Sequence, residues 1–132
     1  NHFQYDPAQS IIQGNKWRDA VGAYLTDDDA RFEGETPIYE DPITGYNMSH
    51  DIRIAGLPIE CKACEISFDY VSKFRSQLEI ENLSEGWMVT SEGITADAEK
   101  EIKRLHNLEN PINIVIKDWS SKATRVLQIL DE

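Results

Sequence analysis

The stretch HDIRIAGLPIECKACE, residues 50–65, decides the fold because it joins two short apolar segments through only two residues, Ala55 and Gly56. Such a link predicts a tight β-hairpin. Counting outward from the turn places Asp51 directly opposite Glu60. One face of the hairpin is then an apolar layer that fixes the register, and its members are Ile52, Ile54, Leu57, Ile59 and Cys61.

The other face of the hairpin brings two carboxylates together. Directly opposed side chains have Cβ atoms about 5 Å apart, so Asp51 and Glu60 repel each other unless a positive charge lies between them. Lys62 projects from the same face. Two close carboxylates suit Mg²⁺, which takes one or two of them with water and phosphate oxygens, and the backbone carbonyl of Cys61 can add a ligand. These residues predict a metal site for phosphodiester hydrolysis, in which Lys62 stabilises the developing charge.

A structural alternative stays open for this face. Asp51 and Glu60 can instead form a solvated ion-pair network with Lys62 and Arg53 on an exposed part of the sheet. Arg53 itself has two interpretations, since it can contact a phosphate or pair with Glu60 or another acid.

Length and composition favour one globular domain, residues 1–132, with 40% hydrophobic residues. The first residue is Asn, so we expect a fragment of a larger protein. No apolar run reaches the length of a membrane span, and Cys61 and Cys64 suit free thiols in a reducing compartment better than half of a zinc site. We therefore expect a cytoplasmic protein without membrane contact.

The charge is strongly negative, with 24 acidic against 13 basic residues and a formal net charge of −11. A surface of this sign repels nucleic acid unless the charges are segregated or offset by bound cations.

Helical and strand patterns alternate along the chain. Trp17, Val21, Tyr24 and Leu25 recur with helical spacing in a first helix that opens near Pro7. The elements expected after it are strands at 30–40, 46–54 and 57–63, a helix at 69–83, a strand at 86–90, a helix at 95–108, a strand at 112–119 and a last helix at 120–132.

Three details of these elements can be tested. Gly86 is expected just past the end of helix 69–83, Thr95 is expected to cap the next helix, and strand 112–119 is expected to be central.

The natural closure is an α/β fold with a mixed sheet, antiparallel at first and completed through helical crossovers, with helices on both faces. The buried stripe expected of the last helix is Ala123, Val126, Leu127 and Leu130.

Several segments together resemble a known group of enzymes. The D-x8-ExK pattern from Asp51 to Lys62 looks like the PD-(D/E)xK nuclease superfamily. Mrr-like restriction endonuclease domains resemble this chain in the segment GWMVTSEGITADAEKEI and in the following INIVIKD. Their first helix resembles GNKWRDAVGAYL. The likeness runs from about Gln13 onward. The resemblance implies a restriction-endonuclease-like core in the order αβββαβα, with a further strand and a C-terminal helix.

The same resemblance implies catalytic residues and a cofactor. Asp51, Glu60 and Lys62 match the motif, with Mg²⁺ as cofactor and Mn²⁺ able to substitute for it. Many Mrr-like members carry Gln where Glu60 stands. Where that group has an acid in its first helix this chain has Arg18, which leaves the adjacent Asp19 as the possible first-helix acid. Gln77 follows the motif on a helix, but the segment lacks the tyrosine of the related RecB-type pattern, and we did not assign it a catalytic role.

The expected function is a Mg²⁺-dependent endonuclease domain that cleaves DNA, in a prokaryotic restriction, defence or phage-related system. Because the surface is acidic, a homo-oligomer or additional domains would have to supply substrate binding. The alternative is a catalytically inert restriction-endonuclease-like module that serves interaction or nucleic-acid sensing.

Overall fold

The computed structural model describes residues 7–26, 36–40 and 47–131. The first helix, α1, begins at Pro7 and runs unbroken through Gly14, and four strands follow it before the next helix. The elements in chain order are α1 Pro7–Thr26, β1 Thr36–Glu40, β2 Asn47–His50, β3 Ile52–Ile54, β4 Leu57–Lys62, α2 Phe68–Ile80, β5 Glu85–Thr90, α3 Ala96–His106, β6 Asn113–Asp118 and α4 Ala123–Leu127.

The main sheet has four strands in the order β3-β4-β5-β6. β3 and β4 are antiparallel, whereas β4, β5 and β6 run parallel and are connected through α2 and α3. The expectation of a mixed α/β sheet completed by helical crossovers is therefore confirmed.

β6 was expected to be central, and that expectation is wrong for the strands that the structure describes, because β6 is the outer strand on the β5 side. Its apolar run suggested burial on both faces. Only Ile114 is fully buried, however, while Val115 and Ile116 are half-buried.

The predicted hairpin turn is confirmed. Ala55 and Gly56 both have positive φ angles, 51° and 83°, which fit the left-handed two-residue turn that matches strand twist. The register pairs Ile54 with Leu57 and continues outward to Ile52 with Ile59, as counted from the sequence.

The strand expected over residues 46–54 is interrupted at Asp51. The first part, β2, pairs with β1 in a separate two-stranded sheet, and only β3 joins the main sheet. In a regular continuation of the ladder the N–H of Cys61 would face the backbone of His50. Instead it donates to the Asp51 carboxylate, so a side chain replaces a backbone partner and the ladder stops there.

Each face of the main sheet carries helices. The apolar layer predicted for the hairpin packs with residues of α1 and α4, and Trp17 of α1 donates its indole N–H to the carbonyl of Val89 in β5 at 3.2 Å. On the opposite face α2 and α3 cover Met88 and Ile114. This arrangement confirms the prediction of helices on both faces.

Gly86 does not end α2, contrary to expectation, because it lies inside β5. A Cβ at Gly86 would lie 2.5 Å from the Phe74 ring, so the glycine permits close helix-to-sheet packing. The helix ends at Ile80, Asn82 follows in the left-handed conformation with a φ of 59°, and the N–H of Leu83 donates back to the carbonyl of Leu78 at 2.8 Å.

The two remaining helix expectations differ in outcome. Thr95 caps α3 by accepting from the N–H of Ala98 at 3.2 Å, as predicted. The prediction of one helix over residues 120–132 is wrong in length, because α4 spans five residues between two 3₁₀ turns. Of its expected stripe, Val126 is buried and Leu130 is 39% exposed, since a 3₁₀ turn no longer follows the α-helical period.

None of the helices in the described ranges combines the length and the apolar character that crossing a membrane requires.

Candidate metal centre

The candidate centre lies at the carboxyl end of β4. Asp51 is half-buried, and its Oδ2 accepts the hydrogen bond from the Cys61 N–H at 2.9 Å. Glu60 precedes Cys61 on β4 and is 8% exposed. The bond therefore anchors one carboxylate next to the residue that carries the other, and it leaves Oδ1 of Asp51 for a cation.

The electrostatics of Asp51 reflect this crowding. Burial, followed by the negative charge of Glu60, raises the pKa of Asp51 from 3.8 to about 6. The Cys61 hydrogen bond and the positive charges of Lys62 and Arg18 lower the pKa but do not cancel the rise. A bound dication would relieve this repulsion.

Glu60 and Lys62 line one small crevice between β4 and α2, with Gln77 and Lys73 on its helix side. Its volume is about 20 Å³, room for about one water molecule. The Lys62 ammonium lies 4.4 Å from the ring centroid of Tyr70. Tyr70 also lines the crevice, so this cation–π contact keeps the Lys62 charge against one of its walls.

Both cysteines are free thiols, Cys61 buried and Cys64 exposed. Burial raises the pKa of the Cys61 thiol, and the charges of Asp51 and Glu60 raise it further, so Cys61 is a poor nucleophile or thiolate ligand. Among the described residues there is no group of three or more His, Cys, Asp or Glu side chains arranged to hold a metal ion. The oxygen atoms that this centre could offer a cation are those of the two carboxylates and of a backbone carbonyl, and Mg²⁺ takes few protein ligands of this kind.

The segments that follow β4 and β5 are tied together next to this crevice. The buried Thr90 hydroxyl donates to the carbonyl of Cys64 at 2.8 Å and accepts from the N–H of Glu92 at 3.0 Å. A single side chain thus fixes both strand ends.

Arg53 forms an ion pair with Glu81 at the end of α2. It also donates to the carbonyl of Gly56 at 3.3 Å. Of the two interpretations of Arg53, the structure favours pairing with an acid, and that acid is Glu81 rather than Glu60.

Asp19 lies on α1 with a side chain that is 48% exposed, in contact with Arg18 at 3.4 Å. It is not among the groups that shift the pKa of Asp51, whereas Arg18 is. Two residues near the centre were thus not assigned a role from the sequence, Arg18 and Gln77. For Arg18 the available signal was its place directly after Trp17 in the first helix, and for Gln77 it was a position on the buried face of α2.

A larger cleft of about 580 Å³ lies between α3 and β6 and is lined by five apolar and five polar or charged side chains. It contains none of Asp51, Glu60 and Lys62. Its size alone does not make it the candidate centre, because a site is identified by the chemistry of its convergent polar groups and not by its volume.

Comparison with known proteins supports the fold only. No family model matches the chain, and no curated protein matches it. A crystal structure of a protein of unknown function, AF1548, is similar, with a TM-score of 0.57 and 14% sequence identity over 89% of this chain. The chain covers 66% of the length of that protein. At this identity the likeness shows that the chain has a mixed α/β fold in common with it.

Proposed function

We propose that this domain is a divalent-metal-dependent nuclease that hydrolyses phosphodiester bonds in DNA. The observation that carries the proposal is the hydrogen bond that holds the Asp51 carboxylate on the Cys61 N–H, one residue from the buried Glu60 and on the strand that ends in Lys62.

The donor chemistry fits Mg²⁺. Asp51 and Glu60 offer hard carboxylate oxygens, and the backbone carbonyl of Cys61 is the proposed third oxygen. Bound Mg²⁺ would lower the pKa of a water molecule and offset the negative charge on the phosphate. Mn²⁺ takes the same ligands and is expected to substitute.

The protein's own residues would do the positioning. Asp51 is restrained by the Cys61 N–H, and Glu60 is restrained by burial against α2. The Lys62 ammonium, which contacts the Tyr70 ring and lines the crevice, would orient water or contact a phosphate oxygen. With a formal net charge of −11, we expect a second copy or a further domain to deliver the substrate.

The test uses the whole chain and four variants. Mn²⁺ binding is measured by calorimetry, and cleavage of a labelled DNA duplex is followed in Mg²⁺. We expect Asp51→Asn and Glu60→Gln to abolish Mn²⁺ binding, and Lys62→Met to bind Mn²⁺ but cleave about 100-fold more slowly. Asp97→Asn, an exposed change on α3, is the matched control and should behave as wild type.

Two results would count against the proposal. If the wild-type chain takes up no Mn²⁺, the two carboxylates are not a metal site, and the inert interaction module is the better description. If DNA is cut equally by wild type and by Asp51→Asn, the activity belongs to a contaminant or to another site.

A further inference from the structure

The cleft between α3 and β6 runs along the outer strand of the main sheet as the structure describes it. β6 spans six residues, whereas β3, at the other end of the strand order, spans three. A long edge strand offers its peptide groups to another strand unless charges, proline or a covering segment prevent it. The middle of β6 is apolar, and its Val115 and Ile116 are half-buried. Among these four strands, β6 is therefore the one suited to pairing with another chain.

The hydrogen bonds on the β5 side show which peptide groups of β6 point outward. The N–H groups of Asn113 and Trp119 donate to carbonyls in and next to β5, at 2.7 Å and 2.9 Å. Peptide groups alternate in direction along a strand, so the odd-numbered residues from 113 to 119 bond toward β5. The N–H and carbonyl groups of Ile114 and Ile116 consequently point toward the outer edge.

α3 runs back along this edge in the direction opposite to β6. Near the end of α3, the carbonyl of Leu105 accepts from the N–H of Ile112, which precedes β6, at 3.1 Å. At the other end, a Cβ on Gly93, just before α3, would lie 3.8 Å from Oδ2 of Asp118. The start of α3 therefore lies near the end of β6.

This course gives the cleft an acidic end and a basic end. Glu99 from the first half of α3 and Asp118 from the end of β6 line the acidic end, and Lys103 and His106 line the other. All four side chains are exposed. The isoleucines of α3 and β6 form the apolar floor between the two ends.

A surface with this arrangement is complementary to itself. A two-fold axis perpendicular to the sheet sets β6 antiparallel to β6 of a second copy, with the two α3 helices side by side in opposite directions. The acidic end of each cleft then meets the basic end of the other. A second copy thus supplies both the strand and the opposite charges.

The residues of β6 also select a register for this pairing. A register centred on Val115 pairs Val115 with Val115 of the second copy and Ile114 with Ile116, so that apolar residues face each other. A register centred on Ile116 would set Asp118 opposite the buried Ile114. The first register is the favourable one.

We propose that β6 and α3 form the interface of a homodimer, in which two copies of this chain join their main sheets through β6 and fill each other's clefts. This dimer does not depend on the proposed nuclease activity.

Association of the whole chain gives the first readout, by sedimentation equilibrium over a range of concentrations. The wild type should be a dimer. Lys103→Glu should raise the dissociation constant about tenfold or more, because an acid then faces the acidic end of the second copy twice by symmetry. Glu99→Lys should act in the same way, and the double variant should regain near wild-type affinity. Lys100→Glu reverses an exposed charge of α3 outside this cleft and is the matched control.

Disulfide formation gives the second readout, in a Cys64→Ser background that lacks the exposed native thiol. Val115→Cys should cross-link two chains on oxidation with diamide. Directly opposed residues that do not bond to each other have Cα atoms about 4.5 Å apart in antiparallel strands, which is within the range of a disulfide. Lys117→Cys lies on the same face of β6, two residues from the axis, and should remain a single chain on a non-reducing gel.

Two sets of results would overturn the proposal. A wild-type chain that sediments as a monomer at every concentration would leave the cleft to a different partner. A dimer that is indifferent to Lys103→Glu, or that cross-links through Lys117→Cys and not through Val115→Cys, would use another surface or register. Because the charge variants and the cysteine variants change different residues, a folding defect in one set leaves the other to decide.

Discussion

The carboxylate of Asp51 is bonded to the backbone N–H of Cys61 at 2.9 Å, and this contact ends the β3–β4 ladder. The hydrogen bond favours the charged form of Asp51, but burial and Glu60 outweigh it. Without a bound cation, the charged form of Asp51 therefore lowers the free energy of unfolding.

The first prediction concerns pH and stability in a chelator. The pKa of Asp51 is about 6 when folded against 3.8 as its ordinary value, so between these values the folded state binds more protons than the unfolded state. The contribution of Asp51 to the free energy of unfolding then falls as pH rises from about 4 to 6, and it levels off above, for a total of up to about 3 kcal/mol.

Asp51→Asn isolates this effect, because the amide oxygen can still accept from Cys61 while the charge is gone. Urea unfolding in EDTA should show the variant and the wild type equally stable near pH 4, and the variant more stable at pH 7. A stability difference that does not change with pH would contradict the assignment.

Trp17→Phe should destabilise the fold by about 2 kcal/mol or more, because a buried hydrogen bond to the Val89 carbonyl is lost along with packing. Trp87→Phe is the matched control. Trp87 is half-buried and contacts the Lys117 ammonium at 4.5 Å, so its loss should cost about 1 kcal/mol. Equal unfolding midpoints for the two variants would show that the indole bond contributes nothing.

Gly86→Ala should destabilise the fold by about 2 kcal/mol, because the new methyl group would meet the Phe74 ring at 2.5 Å. Gly14→Ala, inside α1, meets no atom within 4 Å and should stabilise by about 0.5 to 1 kcal/mol. Thermal melts of the two alanine variants should therefore shift in opposite directions. A melting temperature of Gly86→Ala at or above that of the wild type would mean that the approach of α2 to β5 is not close.

The ion pair of Arg53 and Glu81 should stabilise the fold without serving the reaction. Both side chains are about 20% exposed, so a double-mutant cycle with Arg53→Gln and Glu81→Gln should give a coupling of about 1 kcal/mol. Each single variant should cleave DNA at the wild-type rate. If Arg53→Gln alone slows cleavage, Arg53 contacts phosphate after all.

The local features of the fold followed from sequence because each depends on near neighbours. Turn chemistry fixed Ala55 and Gly56 as the link, and the apolar layer fixed the register. The Thr95 cap was readable for the same reason, since a hydroxyl before a helical pattern bonds within three residues. The helical crossovers followed from strands that alternate with helices.

The missed features depend on contacts between distant residues. The strand break at Asp51 arises because its carboxylate accepts from the Cys61 N–H in place of a backbone carbonyl. Hydrophobic periodicity in the sequence does not reveal such a contact. The place of Gly86 depends on how closely Phe74 approaches the sheet, and the outer position of β6 depends on which strands pair. The proximity of Arg18 to Asp51 likewise requires the packing of α1 on β4.

Thr90 ties the chain leaving β4 to the chain leaving β5 with a single hydroxyl. Because Thr90 holds these two segments together, the proposed ligands on β4 would be preorganised, and little conformational entropy would be lost on ion binding. Amide hydrogen exchange along both strands should then be equally slow with and without the ion. Ion binding would then occur at a site that is already ordered, without the ordering of a loop.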